Sequence, residues 1–235
     1  MKQQLPSIPK LEEGTFLLLD KPLGWTSFDV VGKIRKIVRI ISNKIIKIGH
    51  TGTLDPLATG LLILCTGKYT KKVELFQEYE KEYEGKMILG AITPSYDMET
   101  PVIKNFDISF LTETDIIKQT SLFVGQIYQL PPTYSAVKIN GRRAYKYART
   151  GKEIEIKPRL IEIKQFEITS IQLPEISFKV TVSKGAYVRA LARDFGESLN
   201  CGAYLSSLRR TRIGKYKIED AYSIKEIEEY YQNLK

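Results

Sequence analysis

Apolar residues occur in short runs separated by polar turns, the pattern of a protein built from both strands and helices. Residues 15–19 form an apolar run that predicts a buried strand, and residues 20–24 end this strand as a turn. Residues 30–38 then place apolar side chains at helical spacing behind the threonine–serine pair at 26–27, which predicts a capped amphipathic helix. Each predicted element is therefore short and bounded by turn or cap residues.

The rest of the chain predicts further strands, one hairpin and several short helices. Apolar and polar side chains alternate in residues 176–183, and a Leu-Pro-Glu turn joins this arm to the run 160–171. The first fourteen residues predict an irregular lead-in, and residues 49–60 predict a glycine-rich loop. The other predicted strands or extended segments are 45–48, 61–66, 83–89, 126–139 and 208–216, and the other predicted helices are 70–76, 114–122, 142–149, 187–199 and 223–235.

The order of these elements indicates the fold class. Strands and helices mix without a strict βαβ rhythm, and hairpins are present. This combination predicts an α+β fold with a mixed, largely antiparallel sheet flanked by helices and loops. No change of composition marks a linker, so we expect residues 1–235 to form a single domain.

Composition adds expectations about partners and compartment. Lysine and arginine number 36 against 27 acidic residues, and this net charge of +9 favours a polyanionic partner. No apolar stretch approaches the about 20 residues of a membrane-spanning helix, and the N-terminal segment lacks the apolar core of a secretory signal. Two cysteines, Cys65 and Cys201, cannot form a disulfide framework. We therefore expect a cytoplasmic protein without membrane contact.

The single histidine, His50, narrows the possible chemistry. One histidine and two cysteines cannot form a Cys/His zinc cage. A Ser–His–Asp or Cys–His catalytic site would have to use His50. We therefore expect chemistry carried by carboxylate, tyrosine and arginine side chains, without a metal or a cofactor.

The loop at 49–60 reads GHTGTLDPLATG and contains one carboxylate, that of Asp55. Its glycines permit tight turns and the close approach of a ligand, and a carboxylate on such a loop can act as a nucleophile or a base. By itself, an Asp-Pro pair most often marks an ordinary turn. A phosphate-binding P-loop ending at Lys68 is excluded, because its spacing requires glycine and serine or threonine where the chain has Leu62 and Tyr69.

The same loop resembles the signature GHTG-x-LDP-x-A-x-G of the TruB family of pseudouridine synthases and matches it at every specified position. Further blocks resemble other motifs of that family in the same order, so the resemblance covers residues 14–220. These blocks are LDKPLGWTS at 19–27, KEY at 81–83 with LG at 89–90, PPTYSAVK at 131–138, GRRAY at 141–145 with AR at 148–149, SKGAYVR at 183–189, and GA at 202–203 through LRR at 208–210.

The resemblance implies an activity and a set of site residues. Family members that act alone convert uridine 55 in the T loop of tRNA to pseudouridine, so the implied fold is that of a pseudouridine synthase. By resemblance, Asp55 is the nucleophile, Tyr83 stacks on the flipped base and Arg189 pairs with the aspartate. The implied substrate-binding residues are Tyr187, which lines the pocket, Leu208, which packs beside it, His50, which enters the RNA loop, Lys21 of the first motif, and Asp97 at an acidic position of the family.

Two basic clusters with interleaved tyrosines predict contacts with RNA. Basic side chains near aromatic rings suit phosphates and unstacked bases, although solvated charge would give the same composition. The first cluster lies in a block, residues 131–159, that resembles an RNA-gripping insertion of the family. The candidate RNA-binding residues are Lys138, Arg142, Arg143 and Arg149 in the first cluster, and Arg209 and Arg210 in the second.

Many relatives continue into a C-terminal RNA-binding domain of the PUA type, whereas this chain ends at Lys235. We therefore expect a monomer that recognises the T arm of tRNA without a PUA domain and without a guide RNA. Two alternatives stay open, a catalytically silent RNA-binding or RNA-folding protein on the same scaffold and a synthase for another RNA. The presence of Asp55, Tyr83 and Arg189 argues against the first.

Overall fold

The computed structural model describes residue 2 and residues 4–135, 137–139, 141–144, 147, 150 and 154–233. Its α-helices are α1 (Ile8–Glu13), α2 (Ser27–Ser42), α3 (Val73–Glu78), α4 (Glu113–Gln119), α5 (Val188–Ser198) and α6 (Ile224–Gln232). Its strands are β1 (Phe16–Lys21), β2 (Ile48–His50), β3 (Ala58–Thr66), β4 (Lys81–Leu89), β5 (Ala91–Ile92), β6 (Lys104–Asn105), β7 (Gly125–Gln129), β8 (Lys138–Ile139), β9 (Arg142–Arg143), β10 (Arg159–Gln172), β11 (Glu175–Val182), β12 (Ala203–Ile213) and β13 (Tyr216–Lys217). Short 3₁₀ helices span Gly67–Lys72, Thr120–Phe123 and Ile218–Asp220.

The chain forms two compact units. The first comprises Met1–Tyr83 and Arg209–Lys235, and the second comprises Glu84–Leu208. The boundaries between them fall inside strands β4 and β12. The expectation of a single domain over residues 1–235 stays a prediction.

In the first unit, β3 is the central strand. It pairs antiparallel with β1 and with β2, and β12, which pairs with β13, is its other neighbour. Leu62 and Leu64 pack in the core that also contains residues of α2 and α6, whereas Leu61 and Ile63 pack in a second core with Phe76. Because successive side chains of a strand point to opposite faces, burial on both faces explains the uninterrupted apolar run of β3.

The predicted caps of α2 and α6 are confirmed. The Thr26 hydroxyl accepts a hydrogen bond from the Asp29 amide at 3.1 Å, and the Asp29 carboxylate accepts one from the Thr26 amide at 2.8 Å. Ser223 and Glu226 form the same reciprocal pair at the start of α6. Each box satisfies amide groups that the first turn of a helix otherwise leaves without a partner.

The second unit is built on antiparallel strands. Within it the strand order is β12, β4, β11, β10, β7, and the pairs β10–β11 and β10–β7 are antiparallel. Helix α5 contributes Phe195 to an aromatic cluster with Phe123 and Phe166, whose ring centroids lie 5.2–6.2 Å apart. The predicted 160–171 and 176–183 hairpin and the predicted largely antiparallel sheet are confirmed.

Several elements differ from the sequence expectation. Helix α1 occupies part of the expected lead-in. The strand predicted at 45–48 begins only at Ile48, because β3 pairs with residues 48–50, and Ile45 is 86% exposed. Helix α4 is capped by Thr112, which accepts from the Asp115 amide, and not by the predicted residue two positions later. Residues 142–143 form strand β9 where a helix was expected.

Two expectations from composition concern the cysteines and the membrane. Cys65 and Cys201 are buried free thiols, and burial raises the pKa of the Cys65 thiol to about 11. At neutral pH this thiol is protonated and therefore a poor nucleophile.

Among the helices that the structure describes, none has the length and apolar composition needed to cross a bilayer.

Candidate active site

The loop between β2 and β3 presents Asp55, and hydrogen bonds hold its main chain just before that residue. The Thr51 amide donates to the Ile63 carbonyl at 3.0 Å. The Ser27 hydroxyl accepts from the Leu54 amide at 2.9 Å and donates to the Leu54 carbonyl at 3.2 Å. The Asp55 side chain is half-buried. The main chain that carries Asp55 is therefore fixed before any substrate arrives.

Lys21, at the end of β1, contacts the same loop. Its side chain is fully buried, and Nζ donates to the carbonyls of Pro22, Trp25 and Pro56 at 3.0, 2.6 and 3.3 Å. Burial lowers the pKa of Lys21 to about 8, although the negative charge of Asp55 acts to raise it. The geometry gives Lys21 a role in holding the loop, and its direct contact with substrate stays a prediction.

Lys21→Met should remove a pH dependence of stability. The pKa of Lys21 is about 8 in the folded chain against an ordinary value of 10.5, so the unfolded chain binds more protons between these values and stability rises with pH there. The unfolding free energy of wild type minus that of the variant should therefore be more positive at about pH 9.5 than at about pH 7. Urea unfolding at both pH values measures it, and an equal difference would contradict the assignment.

Arg210, on β12, also holds the loop. Its side chain is 1% exposed, with Nε donating to the Leu61 carbonyl at 2.7 Å and Nη2 to the Gly52 carbonyl at 3.1 Å. A Cβ at Gly60 would lie 2.3 Å from the Arg210 carbonyl oxygen, so this close approach requires glycine. The guanidinium is buried against main-chain carbonyls, which gives Arg210 a role in holding the loop, and its predicted contact with RNA stays a prediction.

Three other predicted residues belong to the first unit. Arg209 forms a bidentate pair with Asp20, with nitrogen–oxygen distances of 2.7 and 3.1 Å, and its side chain is 42% exposed. His50 is half-buried at the end of β2, opposite Leu64 of β3. Tyr83 is 8% exposed in β4. The roles of Arg209, His50 and Tyr83 stay predictions.

In the second unit, Arg189 joins two segments of the chain. Nη1 donates to the Ser95 carbonyl at 3.0 Å and Nη2 to the Tyr134 carbonyl at 2.7 Å. Nε lies 3.6 Å from the Asp97 carboxylate, and both side chains are buried. The structure therefore places Asp97 beside Arg189. The predicted pairing of Arg189 with Asp55 joins residues of different units and stays a prediction.

Gln129, at the end of β7, was not identified from the sequence. Its side chain is 2% exposed and bonds the main chain of Tyr187 twice, accepting from the amide at 2.8 Å and donating to the carbonyl at 3.1 Å. Tyr187, immediately before α5, and Leu208, in β12, are half-buried. Ser27, which fixes Leu54, was considered as a helix cap and as the last residue of the motif at 19–27, without a role in the loop. A polar residue ending an extended run was the only local signal for Gln129.

The structure describes only part of the first basic cluster. Arg149 lies outside the described residues. The main chain of Lys138, Arg142 and Arg143 forms the short hairpin β8–β9, in which Lys138 lies opposite Arg143. Their contacts with RNA stay predictions.

Solved structures with a similar fold include chains of multi-component assemblies. The chain aligns with one chain of a Cbf5–Nop10–Gar1 complex at a TM-score of 0.73 and 31% identity, over 96% of this chain and 57% of that one. It aligns with a chain of an H/ACA RNP bound to a substrate RNA containing 2′-deoxyuridine at a TM-score of 0.68 and 29% identity, over 94% and 54% of the two chains. The present chain thus spans little more than half the length of these proteins.

Curated relatives match over nearly their whole length. The chain is 49% identical to tRNA pseudouridine synthase B of Flavobacterium johnsoniae over 94% of this chain and 97% of the relative. It is 50% identical to tRNA pseudouridine synthase B of Bacteroides fragilis over 88% and 90%. Residues 36–188 match the TruB family pseudouridylate synthase N-terminal domain, and residues 189–235 match the tRNA pseudouridylate synthase B C-terminal domain. The chain belongs to the TruB family of pseudouridine synthases.

Proposed function

We propose that this protein is a tRNA pseudouridine synthase that converts uridine 55 of the T loop to pseudouridine. The observation that carries the proposal is the loop 49–60, which holds Asp55 on a fixed main chain in a member of this family. Relatives that match over nearly their full length carry the name tRNA pseudouridine synthase B. The net charge of +9 suits a polyanionic substrate.

The reaction rearranges one nucleoside. The N1–C1′ bond breaks, the uracil turns, a C5–C1′ bond forms, C5 loses its proton and N1 gains one. Asp55 supplies the nucleophile, at C1′ or at the base. It leaves C1′ when the C5–C1′ bond forms, or leaves the base when C5 loses its proton. The uridine must first leave its stack, which costs a few kcal/mol and less in a loop than in a duplex. A carboxylate that is already oriented spares the enzyme part of the entropy cost of attack.

The other site residues have binding roles in this proposal. Tyr83 stacks on the flipped uracil, Tyr187 lines the pocket, and His50 occupies the space that the base leaves. Gln129 supports Tyr187 through its two hydrogen bonds to the main chain of that residue. Arg189 pairs with Asp55, which favours the ionised carboxylate. Leu208 packs beside the pocket. Asp97 lies beside Arg189 and contacts the substrate from that position.

Tritium release from uridines labelled at C5 tests the function directly. A T-arm hairpin and a full-length tRNA are incubated with the protein without added nucleotide or metal. We expect release from one loop uridine in both RNAs, because only rebonding at C5 displaces that hydrogen. RNA binding without release would favour a silent RNA-binding protein, and release from another RNA alone would favour a different substrate.

Charge neutralisation on β9 should reduce the salt dependence of RNA binding. Each phosphate contact with single-stranded RNA contributes about 0.7 to the slope of log K against log salt. Arg142→Gln combined with Arg143→Gln should therefore lower the slope by about 1.4 and raise KM while kcat stays close to wild type. Filter binding at several salt concentrations measures the slope.

Lys225→Gln provides the matched control. Lys225 lies on α6 with its side chain 84% exposed and pairs with Glu229 at 3.7 Å. Its neutralisation removes one positive charge, where the double variant removes two, outside the predicted RNA-binding block. A loss of slope of about 0.7 in Lys225→Gln, equal to the loss per charge in the double variant, would show a nonspecific charge effect and would contradict the assignment of Arg142 and Arg143.

A further inference from the structure

An exposed phenylalanine stands beside the catalytic loop. Phe28, in the first turn of α2, is 57% exposed, although the preceding residue, Ser27, is buried and bonded to Leu54. Its ring centroid lies 5.1 Å from that of His50 in an edge-to-face arrangement, with the rings at 84°. The phenylalanine ring is therefore anchored at its place beside His50 while most of it faces solvent.

The helix surface next to this ring is kept open. Gly32 follows Phe28 by four residues and so lies on the same helix face. A Cβ at Gly32 would meet nothing within 4 Å, so packing does not require glycine there. Glycine is among the least favourable residues for a helix interior. Because helical side chains point back toward the N-terminus, any larger side chain at this position would lean over Phe28.

We propose that Phe28 is a stacking platform for an unpaired nucleobase of the RNA substrate, with Gly32 leaving the space that the base occupies. This inference rests on the proposed function. An unstacked base offers an apolar face to an aromatic ring, and base–aromatic stacking tolerates any base. Phe28 directly follows Ser27, whose hydroxyl is bonded to the main chain of Leu54, and this places the platform next to the loop that carries Asp55. Phe28 thus holds a base that neighbours the reacting uridine.

The experiment measures RNA affinity and turnover in parallel. T-arm hairpins carry the fluorescent analogue 2-aminopurine at single loop positions, and binding is followed in the Asp55→Asn background so that no turnover intervenes. Phe28→Ala should weaken binding by about tenfold, in line with the loss of one stacked base, and abolish quenching at one loop position. In enzyme with Asp55 intact, the same change should raise KM about tenfold with kcat nearly unchanged.

Three further variants separate stacking from mere packing around His50. Phe28→Tyr should bind within about twofold of wild type and Phe28→Leu should resemble Phe28→Ala, because stacking needs a ring. Gly32→Leu should also weaken binding, since its side chain would cover the platform. Ile40→Ala is the matched control, because Ile40 is also 57% exposed and lies three turns further along α2.

The outcomes distinguish this inference from the proposed function. Turnover by wild type together with equal binding by Phe28→Ala and wild type would overturn the stacking role, and so would full activity of Phe28→Leu. Quenching that depends on Phe28, without tritium release by wild type, would support the platform and overturn the proposed activity. A wild type that binds no T-arm RNA would overturn both.

Discussion

Asp55→Asn should lower the rate of tritium release from C5 by about 10⁴-fold or more, the size of effect seen when a covalent nucleophile is removed. The amide has the shape of the carboxylate but lacks its nucleophilicity. The main-chain bonds at Thr51, Leu54 and Pro56 do not involve the altered atoms, so the loop keeps its form. RNA affinity should therefore stay close to that of wild type. Single-turnover release and filter binding measure the two quantities.

Asp107→Asn serves as the matched control, because Asp107 is an exposed carboxylate that accepts from the Ser109 amide and hydroxyl at 2.9 Å. The same chemical change there should leave both turnover and RNA affinity at wild-type levels. Full turnover by Asp55→Asn would refute the assignment of Asp55 as the nucleophile. Loss of RNA binding by this variant would mean that the carboxylate is needed to hold the site, which would leave its chemical role to other evidence.

The sequence predicted the helices that begin with capping residues close together in the chain. Thr26 with Asp29 and Ser223 with Glu226 form boxes within one helical turn, and both helices begin where these pairs indicate. Helix α1 was missed because distant residues stabilise it: its Leu11 packs in the core with residues of α2 and α6. The segment before the helix is held from α6, where the hydroxyl groups of Tyr230 and Tyr231 donate to the carbonyls of Leu5 and Pro6. No pattern within the first fourteen residues could reveal that contact.

The motif loop identified Asp55, but sequence did not reveal how the loop is held. Lysine and arginine are rarely buried, so a charged motif residue is expected to face solvent or ligand. Lys21 and Arg210 are buried instead, and their donors meet main-chain carbonyls of the loop. Carbonyl acceptors are available at every residue, and only the tertiary arrangement selects Gly52 and Pro56. The sequence therefore identified Arg210 and Lys21 as site residues but did not reveal their contacts with the loop.

Arg210→Met should destabilise the protein and lower kcat together. The substitution removes the donors to the carbonyls of Leu61 and Gly52, and a carbonyl left buried without a partner costs about 1–3 kcal/mol. We therefore expect a loss of about 3 kcal/mol in the free energy of unfolding, measured by urea denaturation. Without the hydrogen bond at Gly52, the loop no longer holds Asp55 in place. We therefore expect kcat to fall while KM changes little.

Two companion variants make the Arg210 prediction specific. Arg209→Met removes an arginine from the same strand whose side chain is 42% exposed and paired with Asp20, so its stability should fall by less than about 1 kcal/mol. Arg210→Lys keeps the charge but cannot reproduce the fork that reaches two carbonyls, and it should recover part of kcat. Because the Arg210 charge acts to lower the pKa of Lys21, Arg210→Met should also move the alkaline rise in stability to higher pH. A uniform loss of stability at every pH, with kcat preserved, would reduce Arg210 to a packing residue.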